Sequence, residues 1–133
     1  MEWRELKRYH LNPPTHIFPR TLQVQYDYEQ YKLNNPNYHK LLQDRLFINN
    51  DITIEFNSFP YHIKEGYHLV VWINKNIKFD IKDLIHILEY LDIKEYVIFE
   101  NLPYQRSVPS IRHFHLFLKH YTDVTKILNT PVN

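Results

Sequence analysis

The chain contains no cysteine. That excludes disulfides, a thiol nucleophile and a cysteine-ligated metal. It contains a single glycine, Gly66, and phosphate loops of the Walker or dinucleotide-binding kind need several. Net charge is only +1 with histidine neutral, which argues against nucleic acid as a partner. No run approaches the roughly 18 apolar residues of a membrane span. The first residues, Met1-Glu2-Trp3-Arg4-Glu5-Leu6-Lys7-Arg8, are charged and lack the apolar stretch of a leader. The expectation is a soluble, cytoplasmic protein with no membrane partner, and nothing in the pattern asks for a cofactor.

What is present is a domain's worth of core. Of 133 residues, 44% are hydrophobic, which suits one domain spanning 1–133. Tyrosine and phenylalanine are abundant, at 11 and 8. Asn, Ile, Lys and Tyr dominate, as in AT-rich genomes, so part of the aromatic excess is mutational rather than functional.

Residues 1–50 read as a helical, irregular extension. Trp3 to Tyr9 suits a short helix, and Pro13, Pro14 and Pro19 prevent it from continuing. Thr21 introduces a helical segment that ends at Asn34-Asn35-Pro36. Asn37 starts another, with Tyr38, Leu41, Leu42, Arg45 and Leu46 at helical spacing. Residues 51–133 read as a sheet core. Asp51 to Phe56 alternates as a strand, and Tyr67 to Ile73 (YHLVVWI) is a nearly continuous apolar strand. Asp80 caps a helix with the stripe Ile81, Leu84, Ile85, Leu88 and Leu91. Glu95 to Glu100 and residues 111–119 are two further strands, and Thr122 to Leu128 a last helix. This order predicts an α+β fold, an antiparallel sheet with helices packed on one face.

The chemistry concentrates in residues 99–118. On a strand, His113 and His115 share one face, while Phe114, Leu116 and Leu118 point into a core. On this reading the paired imidazoles stand on the exposed face. Imidazole can act as nucleophile, base or acid near neutral pH. Ser107 and the Val108 backbone offer donors to phosphate, and Arg106 and Arg112 could clamp one bidentately. Asn101 at a strand end, Asn57, Tyr61 and His68 complete the candidate ligand-binding set, and Phe59 suits a stacking wall or the core. Each has a plainer reading. Strand histidines are often merely solvated or satisfied, serines cap loops, and surface arginines are solvated. Two histidines could also share a metal with His68 or Glu100, but no third ligand is specified, and no metal is assigned.

Several separate motifs occur in one order: Asn57-Ser58-Phe59-Pro60-Tyr61, His68-Leu69-Val70-Val71-Trp72, Asn101-Leu102-Pro103, Ser107-Val108-Pro109 and His113-Phe114-His115. In these the chain resembles a fungal family of uncharacterised domains, the N-acetylglucosamine-induced proteins. That name reports induction, not chemistry. More distantly, the chain is similar to the histidine-triad superfamily of nucleotidyl hydrolases and transferases. The core of that superfamily runs strand, strand, helix, a strand ending in Asn, then a strand carrying spaced histidines. Here Phe117 stands at the third histidine position, and extra residues separate Ser107 from His113. The resemblance implies a HIT-like fold that binds a nucleotide or nucleotide sugar. It also implies His115 as nucleophile and His113 as its orienting partner, hence a phosphohydrolase or nucleotidyltransferase. The alternative is a non-catalytic binding, regulatory or interaction module, including a structural protein of a large DNA virus. A homo-oligomer is left open.

Overall fold

The computed structural model describes residues 1–103, 106, 108 and 110–130. Chain order is α1 (Trp3–Leu6), a 3-10 turn (Lys7–Tyr9), α2 (Leu22–Asn34), α3 (Tyr38–Leu46), β1 (Ile52–Phe56), β2 (Tyr67–Ile73), α4 (Ile81–Tyr90), β3 (Tyr96–Phe99), β4 (Arg112–Leu118) and α5 (Tyr121–Leu128). The strands form an antiparallel sheet ordered β1-β2-β4-β3. The fold is α+β, as the element order predicts.

Local chemistry explains the boundaries. The Thr21 hydroxyl accepts the Val24 N–H at 3.2 Å and opens α2. The Asp83 carboxylate accepts the Asp80 N–H at 2.7 Å and opens α4. The only glycine, Gly66, precedes β2 with φ +99°. A Cβ there would lie 3.0 Å from the Leu118 carbonyl oxygen and 3.2 Å from the Trp3 ring. Gly66→Ala is expected to cost about 1–3 kcal/mol through backbone strain and this crowding. Urea denaturation reads the loss, and an unchanged midpoint would show that the turn relaxes freely.

The sheet is covered on both faces, not on one. On the first face, Leu69, Val71, Ile73, Phe114, Leu116 and Leu118 pack under α4 and α5 through Leu84, Leu88, Val124 and Ile127. On the second face, Trp3, Leu6 and Phe18 from the N-terminal region seal Val97, Phe99 and Phe117. Leu46 of α3 packs on Val70 and Trp72 with Val108 and Ile111. Burial on both sides is why β2 is apolar nearly throughout. Of the α4 stripe, Leu84 and Leu88 are buried while Ile81, Ile85 and Leu91 are partly buried, as is Ile54 of β1.

The N-terminal region also protects an edge. The Leu11 N–H donates to the Ile98 carbonyl at 2.8 Å, and the Ile98 N–H donates to His10 Nδ1 at 3.2 Å. These bonds occupy groups on the outer side of β3 that would otherwise be open to pairing. No helix among the described residues is long and apolar enough to cross a membrane.

Candidate functional site

The register puts the chemistry on the second face. Glu55, Val70, His115 and Phe99 lie side by side across the four strands. Thr53, Trp72 and His113 form the next row, and His68, Phe117 and Val97 the row on the other side. Because the N-terminal region covers this face, His68, His113 and His115 are only 3%, 7% and 4% exposed. The expectation of exposed strand histidines is thereby corrected.

Buried imidazoles need partners, and the partners fix the protons. The Tyr61 backbone N–H donates to His68 Nδ1 at 3.1 Å. A neutral His68 therefore carries its proton on Nε2, which lies 2.8 Å from His115 Nδ1 and donates to it. His115 then carries its own proton on Nε2, 2.9 Å from the Asn101 carboxamide. The Asn101 atom at that distance is Nδ2, a second donor, so the carboxamide is assigned with its oxygen turned to this N–H. One backbone amide thus starts a directed chain: Tyr61 N–H to His68, His68 to His115, His115 to Asn101. Stacking holds it in place. His68 lies on Phe117 with ring centres 4.3 Å apart, and Tyr61 lies on His115 at 5.4 Å.

His113 stands outside this chain. Its Nδ1 lies 2.9 Å from the Ile111 carbonyl oxygen, which can only accept, so Nδ1 carries the proton. Nε2 keeps its lone pair. Trp72 packs on the ring at 4.8 Å.

Burial is the largest cause of each histidine's shift. It pushes His68 down to about 3, with the nearby charges of Arg20 and His113 adding to it. It holds His115 well below the usual imidazole value, with help from His68, His113 and Arg20. His113 is also lowered by burial, partly offset by its bond to the Ile111 carbonyl. All three are neutral at pH 7. Burial also pushes the Tyr61 phenol up.

A cavity of about 390 Å³ opens against this face. His113, His115, Val70 and Trp72 border it from the sheet, and Asn57, Ser58 and Phe59 from the turn after β1. Tyr28 and Tyr31 of α2, and Tyr38, Leu42 and Arg45 of α3, form the opposite wall. Its size and mixed lining suit a small organic ligand.

Of the sequence-predicted site residues, His113, His115 and Asn57 border this cavity. Asn57 is fixed by the Phe59 N–H, which donates to its Oδ1 at 2.9 Å. Tyr61, His68 and Asn101 lie behind the cavity and orient His115. Arg112 is on the other face, because neighbours along a strand point to opposite sides. Its Nε donates to Glu100 at 3.1 Å and its Nη1 to the Phe79 carbonyl at 3.0 Å. Arg106 donates through Nε to the Asn101 carbonyl at 3.1 Å and also approaches Glu100. Both arginines border a separate recess with Lys75 and Asn74, not the histidine cavity. Neither is placed as the phosphate clamp expected of it. Ser107 lies outside the described residues. No group of three histidine, aspartate or glutamate side chains is placed to hold a metal ion among the described residues.

Sequence reasoning missed the aromatic wall and Arg20. Tyr26, Tyr28 and Tyr31 read as residues packing α2 onto the sheet. In the fold Tyr28 and Tyr31 pack on Phe59 at the cavity, and Tyr26 is exposed. Arg20 donates through Nε to the Phe59 carbonyl at 2.7 Å and packs against the rings of Tyr28 and Tyr61. No local pattern around Arg20 announces this, since its partners are contributed by α2 and by the turn after β1.

No family model and no curated protein matches the chain. Among solved structures, it is similar to one described as the crystal structure of HTC1. The identity is 18% and the TM-score 0.60, over 87% of this chain and 90% of that one. At that identity the likeness is one of fold: an arrangement similar to this α+β one recurs in another protein.

Proposed function

We propose that this HIT-like domain binds a nucleotide or nucleotide sugar in the aromatic cavity, and that His113 is its reactive group. The observation that carries the reading is the neutral His113 at the cavity wall, with Nδ1 tied to the Ile111 carbonyl and Nε2 left with a lone pair. Aromatic walls suit a base or sugar ring. The order of elements and the His-x-His strand, similar to those of the histidine-triad superfamily, support the same chemistry. The nucleophile differs from the one the sequence suggests. His115 accepts from His68 on one nitrogen and donates to Asn101 from the other, so it has no lone pair to offer.

In the proposed reaction, His113 Nε2 attacks an α-phosphorus. An N–P bond forms and the P–O bond to the leaving group breaks, the oxygen keeping the electron pair and taking a proton from solvent. Water, or a second phosphate, then displaces the imidazole. A second reading keeps the cavity but not the turnover. It is favoured by His68 and His115 being wholly engaged in holding each other.

Mass spectrometry separates the two. The protein is incubated with dinucleoside polyphosphates and nucleotide sugars. The expected results are product and an acid-labile phosphoramidate on His113, both lost in His113→Ala. Binding without product or adduct across that panel would establish the non-catalytic module. Undiminished turnover by His113→Ala would remove His113 from the mechanism.

A further inference from the structure

The charges bordering the cavity do not balance. Its cations are Arg20 and Arg45, and its carboxylate is Glu55. Arg45 is already engaged, meeting Glu55 through both Nη atoms at 2.8 and 3.0 Å. Glu55 also accepts the Trp72 indole N–H at 3.1 Å. Arg20 is different. Among the described residues no carboxylate lies within ion-pair distance of it, although it is partly buried.

Arg20 is nevertheless held firmly. Its Nε donates to the Phe59 carbonyl at 2.7 Å. Its guanidinium carbon sits 4.8 Å from the Tyr28 ring centre and 5.0 Å from that of Tyr61. A hydrogen bond and two aromatic faces therefore fix the plane of the group and leave its Nη donors uncommitted. Orienting an arginine removes rotamer freedom, normally a cost of binding. Here that cost falls on folding. A planar fork with both outer nitrogens available matches the paired oxygens of a phosphoryl group. Tyr61 packs on His115 as well as under Arg20, so the cation and the histidine row share one support.

We propose that Arg20 is the anion anchor of this cavity and that it takes a phosphoryl group of the ligand. In identifying that ligand as a nucleotide the inference rests on the function proposed above. The anion preference itself stands on Arg20 alone. It also relieves Arg106 and Arg112 of the clamping role, since both are tied to Glu100.

The test has two arms, each run on wild type and Arg20→Met, with near-ultraviolet circular dichroism to confirm the fold. If Arg20→Met does not fold, Arg20→Gln replaces it, because its amide can still donate to the Phe59 carbonyl. In the first arm, inorganic phosphate is titrated in thermal melts. It is expected to raise the wild-type Tm and to leave the variant unmoved. In the second, calorimetry compares adenosine with AMP, and uridine with UMP. Wild type should prefer the phosphorylated member by roughly 10–100-fold, the worth of charge-assisted bonds. The variant should bind both members of a pair alike. Phosphate that stabilises both proteins equally, or neither, overturns the anchor. An unchanged nucleotide preference in the variant also overturns it, while the nucleotide reading survives. If phosphate acts through Arg20 but no nucleoside or nucleotide binds, the anchor stands and the nucleotide reading falls.

Discussion

Stability is expected to fall as pH drops from 6.5 toward 5, with the far-displaced His68 alone contributing about 1.4 kcal/mol per pH unit. Unfolded, His68, His113 and His115 take up protons near their ordinary value of 6.5. Folded, burial holds all three below it, and His68 as low as about 3. In between, the unfolded state binds more protons, so stability rises with pH. It is fully present above 6.5 and is lost below it. Each site contributes up to about 1.4 kcal/mol per unit. The cost has a visible structural cause. A proton added to His68 Nδ1 would confront the Tyr61 N–H, and one added to His115 Nδ1 would confront the N–H of His68. Urea midpoints measured from pH 8 to pH 5 would read the effect. A flat profile would mean that the imidazoles reach solvent. His68→Gln should lower the slope, since it removes the titrating group whose folded value lies at about 3.

His115→Ala is expected to cost about 3–6 kcal/mol. It strips the acceptor from the His68 N–H and the donor from Asn101, and each orphaned group costs about 1–3 kcal/mol when buried. It also removes a ring that Tyr61 and Phe99 pack against. An exposed strand histidine would cost almost nothing, so chemical denaturation decides between the two pictures. A loss below about 1 kcal/mol would mean that His115 is dispensable to the fold. A double-mutant cycle with His68 should show strong coupling, because the two rings share one hydrogen bond.

Much of the fold was legible in local pattern. The seven residues of β2 come from an apolar run, α2 from Thr21, and α4 from Asp80 and its stripe. The second layer over the sheet was not. Trp3 and Leu6 share a face of one short helix, but Phe18 lies beyond Pro13 and Pro14, so no single local pattern marks the three as a cover. The unbroken apolar run of β2 did carry that information, because a strand with a wet face alternates. Arg112 was also readable. It stands one residue from His113 on a strand and so must face away. The roles of the two histidines were not readable, because they depend on hydrogen bonds to Tyr61, Asn101 and Ile111. Arg20 was hidden for the same reason. Its meaning arises only when residues 28, 59 and 61 close around it.

The directed chain from Tyr61 to Asn101 bears on how this protein can diverge. Its sense is set by a backbone amide, which no side-chain substitution except proline removes. Everything downstream inherits that choice: which nitrogen of His68 holds a proton, then which of His115, then which end of the Asn101 amide turns inward. A change at any one link leaves its neighbours mismatched, while a coordinated replacement of His68, His115 and Asn101 by apolar residues satisfies them all at once. These positions form a single heritable unit, and His113, hydrogen-bonded to the Ile111 carbonyl just before its strand, stands outside it.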